Sequence, residues 1–104
     1  MIHRNRHVES AVEDKVLREL FDTGISKIRQ EIKTRLVVHG LYASITSLDT
    51  DPTEHGPSGS TIQIIVKGKS VARSFDRAQI EQCHLKVGGA VQSGIMSMVE
   101  EVSG

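Results

Sequence analysis

The chain has 104 residues, the length of one domain with one hydrophobic core. Apolar residues make up 38% and charged residues 25%, a balance that excludes an intrinsically disordered chain. The 13 basic and 13 acidic residues cancel, so no net field draws the protein to bulk nucleic acid, although local patches of either sign can exist.

Aromatic residues are scarce: Phe21, Tyr42 and Phe75, with no tryptophan. The core must therefore come from Ile, Val, Leu and Met, and burial in an oligomer would add to it. The single cysteine, Cys83, rules out an internal disulfide framework and fits a reducing compartment. No apolar run approaches the roughly 20 residues that span a bilayer, so no membrane partner is expected. The basic opening MIHRNRH has no apolar stretch of the kind that marks a secretory signal, and the expected location is the cytoplasm.

In chain order, residues 1–9 read as a basic N-terminal segment. Ser10, followed three residues later by Glu13, forms a capping box and predicts a helix start. Leu17, Phe21, Gly24, Ile25, Ile28, Ile32 and Leu36 then recur near a 3.6-residue period. This predicts a long helix over 11–39, ended by Gly40; a break at Asp22–Gly24 is the alternative. A β-meander follows over 42–75, with a turn-rich loop at 51–60. Its first strand is expected at Tyr42–Leu48, and Lys67-Gly68-Lys69 is expected to turn the hairpin. Ile62, Ile64 and Val66 share one face. Ile65 lies on the other, where Val71 and Phe75 are expected beside it. A sheet apolar on both faces is covered on both, which points to a second copy of the chain. Asp76 caps a last helix over 76–102. The fold class is α+β: long N-terminal helix, three-stranded antiparallel meander and C-terminal helix (α-β-β-β-α), expected as a dimer or larger.

Gly88, Gly89 and Gly94 fall inside that last helix, where each costs about 1 kcal/mol relative to alanine. On a helical wheel Cys83, Ala90, Gly94 and Ser97 lie along one flank of the apolar stripe. A ridge of small side chains permits close helix approach. Gly24 sits on the stripe of the first helix, so the two helices are expected to cross at Gly24 and Gly94. A continuous helix of about 27 residues would be about 40 Å long. It would overhang its own domain unless it kinked at Gly88-Gly89 or extended onto a neighbour. Gly24, Ala90, Gly94, Ser97 and Ile65 are therefore the candidate self-association or helix-crossing residues.

Motifs for chemistry are weak. His3 and His7 have metal-ligand spacing without a third ligand nearby. Cys83 and His84 are adjacent on a helix and diverge by about 100°, so they do not make a nucleophile and its base. Asp49, Asp51, Glu54 and His55 lack the ligand offsets of a calcium loop. They do lie in a stretch, Leu36 to Val66, that holds three acids and no Lys or Arg, a local negative surface. The basic counterpart is Lys67, Lys69, Arg73 and Arg77 around the hairpin, with Lys27, Arg29, Lys33 and Arg35 on the first helix. Neither GPSGS nor KGKS has the spacing of a phosphate loop.

The helix–meander–helix order, with Gly56-Pro57 ahead of a strand, is similar in topology to the double-stranded RNA-binding domain. That resemblance implies basic residues opening the last helix. Here DRAQIEQ supplies a single Arg77, so most of the implied phosphate contacts are missing. The sequence therefore points to a non-catalytic, homo-oligomeric protein-interaction module, such as a small regulator, inhibitor or assembly component. No enzyme activity, cofactor or metal is expected, and the expected partners are the chain itself and another protein. The alternatives are a nucleic-acid-binding dimer using the basic hairpin, or a small-ligand binder at a subunit interface.

Overall fold

The computed structural model describes residues 2–50, 57–82 and 89–104, with side chains from residue 15 onward. The order is α1 (Ile2–Val38), β1 (Ser44–Thr50), β2 (Gly59–Val66), β3 (Lys69–Asp76), α2 (Arg77–Glu81) and α3 (Ala90–Ser103). The α+β reading holds: an N-terminal helix, a three-stranded antiparallel sheet in the order β1-β2-β3, and a C-terminal helix.

Helix α1 is continuous through Gly24, as the apolar stripe implies, but it starts well before Ser10. Residues 2–9 contain no Gly or Pro, and extending a formed helix is far easier than nucleating one. The capping-box reading at Ser10 is therefore a correction. Phe21, Ile28, Ile32 and Leu36 are all buried. The far end closes as expected. Gly40 has φ of +70°, its N–H donates to the Val37 carbonyl, and the Leu41 N–H donates to the Leu36 carbonyl, each at 2.9 Å. This paired closure needs a left-handed residue, which glycine supplies at little cost.

Strand β1 begins at Ser44 rather than Tyr42, and Tyr42 is left exposed before it. The hairpin turn is two residues, Lys67-Gly68, with φ of +47° and +85°, and Val66 pairs with Lys69. Positive φ at both positions matches the twist of the flanking strands. This turn length corrects the expected sheet faces. Because Val66 opposes Lys69, even-numbered residues of β2 share a face with odd-numbered residues of β3. Val71 and Phe75 therefore lie beside Ile62 and Ile64 under the helices, not beside Ile65. The outer face carries Thr46, Leu48, Thr61, Gln63, Ile65, Ser70, Ala72 and Ser74. It is rich in hydroxyls, and only Leu48 and Ile65 are large and apolar. Thr61 and Ser74 hydroxyls meet at 2.8 Å, and Gln63 Nε2 donates to Ser70 Oγ at 2.7 Å. The sheet is therefore apolar on one face only, and its outer face does not call for a second copy to cover it.

Asp76 caps α2 as read from sequence. Its Oδ1 accepts the Gln79 N–H at 2.8 Å, and Gln79 Oε1 accepts the Asp76 N–H at 3.0 Å. The single helix over 76–102 is corrected as well. Helix α2 ends at Glu81, and α3 begins after Gly89, which is extended (φ −74°, ψ 159°) and serves as N-cap. The Gly88-Gly89 pair makes continuation costly, and glycine is acceptable as a cap. Residues 83–88, including Cys83, His84 and Val87, lie outside the described residues. The core joins the α1 stripe, Ile62, Ile64, Val66, Phe75 and Ile80 to Val91, Ile95, Met98, Val99 and Val102 of α3. Among the described residues no helix is long and apolar enough to cross a membrane.

Candidate interaction surfaces

The expected crossing of Gly24 with Gly94 does not occur. Gly24 faces α2 instead. A Cβ there would run into the Ile80 carbonyl oxygen and lie 2.9 Å from Ile80 Cγ2. Gly94 seats the ring of Phe75, whose Cε1 would be 2.9 Å from an added Cβ. Both glycines do permit close approach, but each to a different neighbour within the chain. Ser97, on the same flank, accepts a hydrogen bond from Arg73 Nη2 at 2.9 Å, while Ala90 is exposed. Of the ridge, Gly94 and Ser97 are thus taken up inside the molecule. Ile65, 41% exposed, stands on the outer sheet face.

The four basic residues of the hairpin separate into two pairs. Arg73 lies on the helix side of β3, where its Nη2 also meets Glu101 Oε2 at 2.8 Å. Arg77 Nε pairs with Glu81 Oε1 at 2.7 Å along α2. Lys67 and Lys69 sit exposed at the hairpin tip with no ion pair among the described residues. On α1, Arg35 Nε pairs with Glu31 at 2.8 Å, and Arg29 reaches across to β1, donating from Nη2 to the Ile45 carbonyl at 3.0 Å.

That last contact marks a groove of about 390 Å³ between α1 and the edge strand β1, lined by Ser26, Arg29, Gln30, Lys33, Ala43 and Ile45. It is basic along the helix, and the Ile45 carbonyl faces it from the strand. A second groove, about 320 Å³, lies between the C-terminal ends of α1 and α3, where Val38, Met96 and Val99 meet Arg35, His39 and Glu100. Val38 is 80% exposed there. A third surface is the part of α1 before Phe21, where Val16 and Leu20 are 47% and 44% exposed.

Sequence reading missed the groove of Arg29 and Lys33. Their spacing of four residues places them on one helix face, but the strand that completes the groove comes from the fold. It also missed that Asp49 sits near the end of an open strand edge. The side chains of His3 and His7 lie outside the described residues, as do Asp51, Glu54 and His55. Among the described residues no cluster of three or more His, Cys, Asp or Glu is placed to hold a metal ion. Comparison with protein-family models, with curated proteins and with solved structures returned no match for this chain. The likeness to the double-stranded RNA-binding domain therefore rests on element order alone.

Proposed function

We propose that the chain is a non-catalytic, homo-oligomeric protein-interaction module that assembles with itself and presents α1 to a further protein. The reach of α1 carries this reading. A helix of 37 residues is about 55 Å long. The molecule measures 60 Å along its longest axis against 25 and 17 Å across the others. Burial along α1 begins in earnest only at Phe21, and the preceding described side chains are exposed apart from half-buried Leu17. A helical segment without a packed face gains little from propensity alone. Val16 and Leu20, one turn apart, are spaced as anchors of a helix that lies in a partner's groove.

The nucleic-acid alternative has less to draw on, because Arg73 and Arg77 are engaged within the chain and two lysines remain at the hairpin tip. A small-ligand reading would use the groove of Val38, Met96 and Val99. Light scattering at tens of micromolar tests the main reading: a mass well above the 11.4 kDa of one chain is expected. Val16→Glu with Leu20→Glu should leave the melting temperature near that of the parent and weaken capture by the partner protein. A mass of one chain under these conditions removes the homo-oligomeric reading.

A further inference from the structure

We propose that two copies of the chain join through the open edge of β1, antiparallel and centred on Ser47, with Asp49 of each copy entering the basic groove of the other. The inference rests on the homo-oligomeric reading above and gives it a surface.

The edge is defined by the hydrogen-bond pattern. In an antiparallel ladder alternate residues turn their backbone groups toward the partner strand and away from it. Thr50 accepts the Ser58 N–H at 3.0 Å, and the two-residue turn makes Val66 face β3, so Gly59, Thr61, Gln63 and Ile65 of β2 face β1. Their partners Ser44, Thr46, Leu48 and Thr50 face inward. Ile45, Ser47 and Asp49 therefore turn their N–H and C=O groups to the outside. The Ile45 carbonyl is met by Arg29, and that contact is made from outside the sheet.

An outward row of this kind is a template for another strand. What selects a second copy is the symmetry of the row and its charge. Ser44–Thr50 is symmetric about Ser47, so one antiparallel register pairs all seven residues and sets Ile45 of one copy opposite Asp49 of the other. Side chains of Ile45 and Asp49 lie on the helix-facing side, where Arg29 and Lys33 line the groove beside Ile45. Asp49 is exposed and has no ion pair among the described residues. In the paired state the Ile45 carbonyl accepts a strand hydrogen bond, and the guanidinium of Arg29 is released onto the incoming carboxylate. On the outer face, Leu48, 74% exposed, is laid against Thr46 of the other copy. The opposite edge, β3, does not offer this. Arg73, in the middle of its helix side, is already paired with Glu101 of its own chain at 2.8 Å.

The test combines mass in solution with cross-linking, both on the full chain carrying Cys83→Ser. Ser47 and its copy form a hydrogen-bonded pair with Cα atoms about 5.5 Å apart, within reach of a disulfide. Ser47→Cys should therefore form a covalent dimer on mild oxidation. Ser44→Cys, about 20 Å from its own copy in this register, should not. Arg29→Asp and Asp49→Arg should each weaken the dimer about tenfold or more, and the double variant should recover it. A dimer indifferent to Arg29→Asp, or one that Ser47→Cys fails to link, overturns the β1 interface and leaves the homo-oligomeric reading standing. A monomer at every concentration overturns both, and then Arg29 and Asp49 serve to keep the edge from pairing.

Discussion

Replacing Gly24 by alanine sets two local rules against each other. In an exposed helix interior the change gains about 1 kcal/mol in propensity. Here the new methyl would meet the backbone carbonyl of Ile80, with Ile80 Cγ2 at 2.9 Å. A carbonyl at the end of a short, capped helix cannot swing aside as a lysine tip can. Either α2 is displaced, opening the packing around fully buried Ile80, or α1 tilts and loosens Ile28 and Ile32. Overpacking a tight contact typically costs about 1–3 kcal/mol, and a shift of backbone belongs at the upper end. The net expectation is a loss of about 1–2 kcal/mol, a fall in melting temperature of roughly 4–16 °C for a domain of this size. Thr23→Ala, one residue away and exposed, should gain a few tenths of a kcal/mol and calibrate the helix term. Thermal melts at one fixed protein concentration decide the matter, since self-association makes the midpoint concentration-dependent. Gly24→Ala melting at or above the parent would refute the close crossing of α1 and α2.

Other substitutions probe the remaining constraints. Gly94→Leu drives a side chain into the buried ring of Phe75 and should destabilise by about 1–3 kcal/mol in denaturant melts, with Gly94→Ala milder. Lys67, at φ of +47° in the hairpin turn, should be improved upon by asparagine, with Lys67→Asn raising stability by about 0.5–1 kcal/mol in urea titration. Gln92 is 4% exposed, and its Oε1 has no hydrogen-bond partner among the described residues. Gln92→Glu places a carboxylate there, so its folded-state pKa should rise above the ordinary value near 4.3. The variant's deficit against the parent should be full at neutral pH and shrink as pH falls and the folded form takes up its proton, which paired melts at several pH values would read.

The architecture was legible wherever a local signal ran at full strength. The α1 stripe, the cap at Asp76, the stop at Gly40 and the alternation of Ile62, Ile64 and Val66 all appear where their periods put them. The failures are parity and partner errors. A turn shorter by one residue than expected carried Val71 and Phe75 to the other face, because side chains in strands alternate with a period of two residues. The glycines announced close approach but not to what: Gly24 meets α2, which ends at Glu81 instead of running on into the last helix. The basic cluster at the hairpin was legible as charge, yet Arg73 and Arg77 are partnered by Glu101 and Glu81, one of them 28 residues away. No local pattern encodes such a distance.

The zero net charge conceals a separation that the fold makes useful. The stretch from Leu36 to Val66 holds acids and no Lys or Arg, while α1 carries Lys27, Arg29, Lys33 and Arg35. Among the described residues they meet at the β1 edge, where Arg29 takes a backbone carbonyl rather than a carboxylate. Asp49 is four residues further along the strand, about 13 Å from Ile45, too far for the same arginine to bridge without leaving its carbonyl. A two-fold axis through Ser47 removes that distance by exchanging the strand ends between copies. The same residues that blunt the edge of a lone chain then become the complementary charges of a pair. Which of the two states dominates depends on whether the backbone bonds gained along β1, together with the two new ion pairs, exceed the cost of bringing two molecules together. Salt discriminates, because exposed ion pairs are screened and backbone pairing is not: a dimer that weakens as ionic strength rises, and more so in the parent than in the double variant lacking Arg29 and Asp49 (Arg29→Ala with Asp49→Ala), is held by the charges as well as by the strand.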